Sequence, residues 1–132
     1  MFYTESFKIK IPSNNYFDIT SKIEDIVRKS NIKNGICNVF SVGSTSGILL
    51  NENEPMLVKD IVESLNTSAS KDKIYNHSDN AFSHIKSSII GTSQTMPIKN
   101  GNLLRGHWQD VLLFNFDTSE REREVVITVM GE

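Results

Sequence analysis

Between residues 2 and 11 apolar and polar side chains alternate through the middle of the segment. Phe7, Ile9 and Ile11 fall on one side, while Glu5, Lys8 and Lys10 fill much of the rest. Period two predicts a half-exposed strand. Pro12-Ser13-Asn14-Asn15 reads as a turn. The period then changes: Ile19, Ile23, Ile26 and Val27 recur at helical spacing between charged residues, predicting an amphipathic helix over 18–30. After Asn34-Gly35, residues 35–42 read as a strand, and Ile48-Leu49-Leu50 continues extended beyond a break of small residues. Glu54-Pro55 opens a second helix, with Pro55 suited to its first position. Val58, Ile61, Val62 and Leu65 form that helix's apolar stripe, and 66–73 is a polar loop. A third helix is expected over 80–90, stopped by Gly91, with Ser78 or Asp79 as its cap. The remainder is β: 92–98 and 102–105 flank Lys99-Asn100-Gly101, a strong short hairpin signal. The last strands are 109–116 and 124–130, joined by a charged turn over 117–123.

Several strands with two to three helices between them predict an α+β domain built on a mixed or antiparallel sheet. Val111, Leu113, Val125, Ile127 and Val129 are the expected core face of the last two strands. Leu112, Phe114, Phe116 and Val126 make the opposite faces apolar as well. Such strands need cover on both sides, expected from helices on one and a neighbouring subunit on the other.

The chain has 132 residues, which fits one domain over 1–132. A domain of this length buries about two-thirds of its unfolded surface and needs no disulfide or structural metal to fold. Sixteen acidic against fourteen basic residues leave a net charge of −2. Non-specific affinity for phosphate backbones comes from clustered Lys and Arg, so nucleic acid is not an expected partner. A small phosphorylated ligand stays open, since one or two cations and some backbone N–H groups suffice to bind it. Cys37 is the single cysteine, so no intrachain disulfide forms. The start of the chain lacks a basic region followed by an apolar run. No apolar stretch approaches the ~20 residues that cross a bilayer. A cytoplasmic protein without membrane attachment is the expectation.

Candidate chemistry lies in four segments. Residues 75–88 carry His77 and His84, seven apart and so close to two helical turns, with Asp79 and Asn80 between them. Two imidazoles on one face could bind zinc or a similar ion, with Asp79, Glu52 or Glu54 as third ligand. The plain alternative is a pair of surface or capping histidines. The loop 41–47 places Ser44 and Thr45 among glycines after a strand, where hydroxyls and backbone N–H groups could hold an oxyanion. No Lys follows the second glycine, so it is not a P-loop, and an ordinary turn is the alternative. Asn51, Glu52, Asn53 and Glu54 either line a pocket or cap the helix at Pro55. Trp108 and Gln109 open an apolar strand, where Trp is more often core or interface than a stacking platform. Cys37 is expected buried and inert, and His107 at the surface.

These segments, in this order, resemble the YjbQ-like family, also called secondary thiamine-phosphate synthases. The matching features are Gly35, Gly43-Ser44-Thr45, Asn51-Glu52-Asn53, His77, Ser83-His84-Ile85-Lys86-Ser87-Ser88, Gly91-Thr92-Ser93, Pro97, Asn100-Gly101, Gly106, Trp108-Gln109 and Gly131-Glu132. The resemblance implies an α+β subunit of a homotrimer. It also implies a weak activity in which a thiazole nitrogen displaces pyrophosphate from an aminopyrimidine methyl diphosphate. It further implies a divalent metal, zinc or magnesium, at His77 and His84. Within it, His84 and Glu52 are the candidate catalytic groups. Ser44, Thr45, Asn51, Asn80, Lys86, Trp108 and Gln109 would bind substrate, with Lys86 or Arg105 offsetting diphosphate charge. Two departures stand out: Gly43, where many members have His and others the Gly-Ser-Thr form seen here, and His107, where a Thr or small residue is usual before Trp-Gln; the loop between His77 and His84 is also shorter than in many relatives. The competing readings are a non-catalytic trimer that binds a small molecule or metal, and a purely structural trimer or subunit of a larger assembly.

Overall fold

The computed structural model describes all of residues 1–132, folded into eight strands and three helices. The strands are β1 (Phe2–Ile11), β2 (Asn15–Asp18), β3 (Gly35–Val42), β4 (Ser46–Asn51), β5 (Ser93–Lys99), β6 (Asn102–Leu103), β7 (Asp110–Asn115) and β8 (Arg121–Gly131). The helices are α1 (Thr20–Ser30), α2 (Pro55–Ser68) and α3 (Ala81–Ile90). Two antiparallel sheets result, one ordered β1-β8-β3-β5-β6 and the other β2-β7-β4. This is the α+β class expected from the element pattern.

The alternation along β7 and β8 explains how the layers stack. Val111 and Leu113 on β7 meet Val125, Ile127 and Val129 on β8, together with Ile23, Ile26 and Val27 of α1, in one core between the sheets. Leu112 and Phe114 point the other way, where Phe116 and the α2 residues Val58 and Leu65 join them in a second cluster. Both faces of β7 are therefore buried within one chain. Helices α2 and α3 cover Leu112, Phe114 and Phe116, which is the helical cover expected on one side of these strands. The face left open belongs to the five-stranded sheet. There Ile36, Phe40 and Val42 are 45%, 41% and 44% exposed, with Val126 half-buried beside Phe40.

Local chemistry sets the element ends. Asp18 accepts hydrogen bonds from the Thr20 N–H at 3.0 Å and the Thr20 hydroxyl at 2.7 Å, and that hydroxyl accepts the Val111 N–H at 2.9 Å, pinning α1 to β7. The Glu54 carboxylate accepts the Leu57 N–H at 2.7 Å and caps α2 ahead of Pro55. Helix α2 runs to Ser68, into the expected loop. Asn100 and Gly101, at φ 53° and 82°, make the left-handed two-residue turn between β5 and β6. Strand β2, not anticipated, is four residues long with polar ends and exists because Tyr16 and Phe17 pair with β7. Cys37 is buried, and burial pushes its thiol up to about 12, so it is inert as expected.

Candidate functional site

Helix α3 carries His84 near its N-terminal end, and His77 lies in the turn just before it. Asn80, rather than Ser78 or Asp79, occupies the cap position, and its side chain makes no cap bond. That side chain is used elsewhere: its Nδ2 donates to Asp117 Oδ1 at 3.3 Å, and its Oδ1 faces His77 Nε2 at 3.0 Å. The His77 and His84 rings lie edge to face, 84° apart with centroids at 5.2 Å. With Ala81 and Ile85 they line a shallow groove of about 420 Å³.

Asp117 fixes the chemistry of this pair. Burial acts to raise its pKa, but the Thr118 N–H, Asn80, Arg121 and the Thr45 hydroxyl together hold it down at about 2. An ionised carboxylate only accepts, so the Asn80 amide must turn its NH₂ to Asp117 and its oxygen to His77. His77 Nε2 therefore carries a proton, and Nδ1 is its basic nitrogen. This is the arrangement by which a neighbouring hydrogen bond sets the tautomer of a ligating or proton-transferring imidazole.

The same carboxylate ties the α3 end to the glycine loop. The Thr45 hydroxyl donates to Asp117 Oδ2 at 3.2 Å and accepts from Arg123 Nη2 at 2.8 Å. Arg123 Nη2 also reaches the Thr45 carbonyl at 3.0 Å and Asn115 Oδ1 at 2.5 Å. Thr45 is thus buried and committed to this network, whereas Ser44 stands exposed at the loop tip. Burial lowers the pKa of Arg123, Asp117 acts to raise it and Arg121 to lower it. Its Nε has no partner. Gly43 sits at φ 144°, and a Cβ there would come within 3.1 Å of Arg123 Nη1. A histidine at this position would be strained in backbone and crowded by the guanidinium.

Arg123, Asp117 and Asn115 were not among the expected site residues. A signal existed. Arg123 falls in phase with Val125, Ile127 and Val129, and Asn115 in phase with Val111 and Leu113. Polar groups at core-phase strand positions announce a buried network.

The remaining candidates do not gather at the imidazoles. Lys86 is two residues from His84, about 200° around α3 at 3.6 residues per turn, and faces the opposite side. It is buried in a separate cavity of about 350 Å³ lined also by Asn66, Ser70, Phe82 and Thr118. Asn51, Glu52, Trp108 and Gln109 line a third hollow of about 480 Å³ with Leu50 and His107. Asn51 lies at the far end of β4 from the Ser44–Thr45 loop, roughly 17 Å away at about 3.3 Å per strand residue. The three concavities share no residue. Within one chain the imidazole pair, Lys86 and the Glu52 group occupy three separate places. Trp108 is 67% exposed, and Gln109 turns its Oε1 back to the Gly106 N–H at 2.9 Å. Arg105 pairs with Glu24 and Asp110, both at 3.7 Å.

No group of three or more His, Cys, Asp or Glu side chains converges in the chain. Asp79 is on an exposed turn, Glu54 caps α2, and Glu52 is in the third hollow. Catalytic zinc sites use three protein ligands. One chain supplies two imidazoles and does not complete such a set.

The fold and site together define a two-sheet α+β domain with an oriented imidazole pair at the start of a covering helix. The family model described as "UPF0047 protein YjbQ-like" matches residues 5–132. The chain is 40% identical over 118 residues to a UPF0047 protein of Methanothermobacter thermautotrophicus, covering 87% of this chain and 82% of that one. It is 36% identical to a UPF0047 protein of Methanocaldococcus jannaschii, over 96% of this chain and 94% of that one. A YbjQ-like protein of Sulfolobus solfataricus superposes over the whole length of both chains with a TM-score of 0.91 at 32% identity. The chain belongs to the YjbQ-like UPF0047 family, as its motifs suggested.

Proposed function

We propose that the chain binds a small phosphorylated molecule at the imidazole groove as the subunit of a homotrimer. We propose further that it joins an aminopyrimidine diphosphate to a thiazole phosphate, the reaction its family resemblance implies. One observation carries the reading: Asn80 and Asp117 hold His77 in a single tautomer with Nδ1 free beside His84. In the reaction the thiazole nitrogen forms a bond to the exocyclic methylene, the C–O bond to diphosphate breaks, and diphosphate leaves with that electron pair. His84 is the acid that protonates the departing oxygen. Ser44 and neighbouring N–H groups are the phosphate contacts. Glu52, Asn51, Trp108 and Gln109 take part if trimer assembly brings one chain's hollow to another's groove.

The open sheet face supports the assembly. Phe2, Met130, Ile36 and Pro97 pair across four adjacent strands, and Phe2 and Met130 are 68% and 47% exposed. Such a contiguous apolar row is a surface that association would cover.

A second reading is a non-catalytic trimer that binds a small molecule or a metal, the metal needing a further ligand from a neighbouring chain beside His77 and His84. Imidazole donors suit zinc, whereas magnesium prefers oxygen ligands, so zinc is the ion of this reading.

Purified protein given both phosphorylated heterocycles is expected to release pyrophosphate, with His84→Ala slowing release about 100-fold at unchanged melting temperature. Substrate binding without turnover, together with zinc that is lost in His84→Ala, would favour the second reading. Equal zinc content in both proteins would remove the ligand role.

A further inference from the structure

We infer that the cavity on the other side of α3 is a binding site for a small phosphate-type oxyanion, centred on Lys86 and separate from the imidazole groove. Lys86 is 4% exposed and lines this cavity. Its ammonium has no carboxylate within ion-pair distance. An ammonium carries three donors. One goes to Asn66 Oδ1 at 2.6 Å, and the other two meet no protein acceptor. Its only other partner is the Phe82 ring, with the centroid at 5.6 Å. A buried cation is costly unless it is paired. Removal from water lowers the pKa of Lys86, and Lys71 lowers it further.

The surroundings suit an anion. Ser70 brings to the wall a hydroxyl whose proton is uncommitted, whereas the Ser13 and Thr118 hydroxyls already donate to Asp117. Of the two carboxylates at the rim, Asp117 is already paired with Arg121 at 3.1 Å, and Asp72 is exposed beside Lys71. The cavity volume of about 350 Å³ falls in the range of small-molecule pockets. A tetrahedral oxyanion would accept the two free ammonium protons and the Ser70 hydroxyl proton. This site does not depend on the proposed transferase reaction, because it shares no residue with the groove.

The test is a titration of ¹⁵N-labelled full-length protein with inorganic phosphate at neutral pH and constant ionic strength. Amide shifts are expected to saturate at Asn66, Ser70 and Thr118 and to stay small at Ala81 and Ile85. Lys86→Met, apolar and close in length, is expected to weaken binding by about tenfold or more. His84→Ala is expected to leave affinity within about twofold. Acetate is expected to bind more weakly than phosphate. The inference is overturned by an absence of saturable shifts in the wild type, by retained affinity in Lys86→Met, or by an equal loss in His84→Ala. Acetate binding as tightly as phosphate would overturn the phosphate assignment. If Lys86→Met does not fold, the position of the wild-type shifts decides: clustering at Ala81 and Ile85 refutes the site.

Discussion

Replacing Asp117 by Asn removes the charge that links α3, the glycine loop and β8 while keeping the shape of the side chain. Asp117 is 5% exposed and takes hydrogen bonds from Thr45, Asn80, Thr118 and Arg121. Folding lowers its pKa from 3.8 to about 2. At 1.36 kcal/mol per pH unit, that difference corresponds to roughly 2 kcal/mol of stability. A depressed carboxyl pKa stabilises the fold fully above the unfolded value. The contribution fades as pH falls from about 4 towards 2, where both states become protonated. Urea unfolding of wild type and Asp117→Asn is therefore expected to differ by roughly 2 kcal/mol at pH 7 and to converge as pH approaches 2. A gap of constant size across that window would refute the role of charge. The variant also tests the imidazole. Once position 117 can donate as well as accept, Asn80 is no longer forced to present its oxygen to His77. Nitrogen-15 NMR is expected to show a protonated Nε2 on wild-type His77 and a tautomer mixture in the variant. A wild-type His77 protonated at Nδ1 would refute the chain of reasoning from Asp117.

Three further outcomes follow from packing. A Cβ on Gly35 would lie 1.9 Å from the Met130 carbonyl oxygen, so Gly35→Ala must separate β3 from β8 and is expected to cost at least about 3 kcal/mol, read by urea unfolding. Leu112→Ala is expected to cost about 2–5 kcal/mol, because Leu112 is fully buried between β7 and the helices; a loss below about 1 kcal/mol would mean that face is covered only on assembly. Cys37 is expected to resist a thiol reagent at pH 8 in the native state and to react after unfolding, since burial holds its thiol near 12.

How much of this was legible beforehand depends on the range of the interaction. Helix α2 begins where Glu54-Pro55 announced it, because a cap and a proline act within one turn. The Asn100-Gly101 hairpin follows from two residues tolerant of positive φ. The cap of α3 is not legible locally, because Asn80 occupies it while spending its side chain on Asp117, 37 positions away. Strand β2 was overlooked because four residues with polar ends carry too little period to register, and only pairing with β7 makes them a strand.

The sequence alone determined the order of the elements other than β2, the α+β class and the core faces of β7 and β8, and it offered His77 and His84 as a pair that only a fold-back of the turn before α3 brings together. Each depends on periodicity or on residues within two helical turns. Tertiary structure decided that one helix carries His84 and Lys86 to opposite sides. It also decided that Glu52 and Trp108 share a hollow far along β4 from the glycine loop, and that Arg123 and Asp117 lock that loop to α3. Those outcomes depend on which face of an element turns inward and on hydrogen bonds between residues distant along the chain. Spacing along a sequence does not encode either.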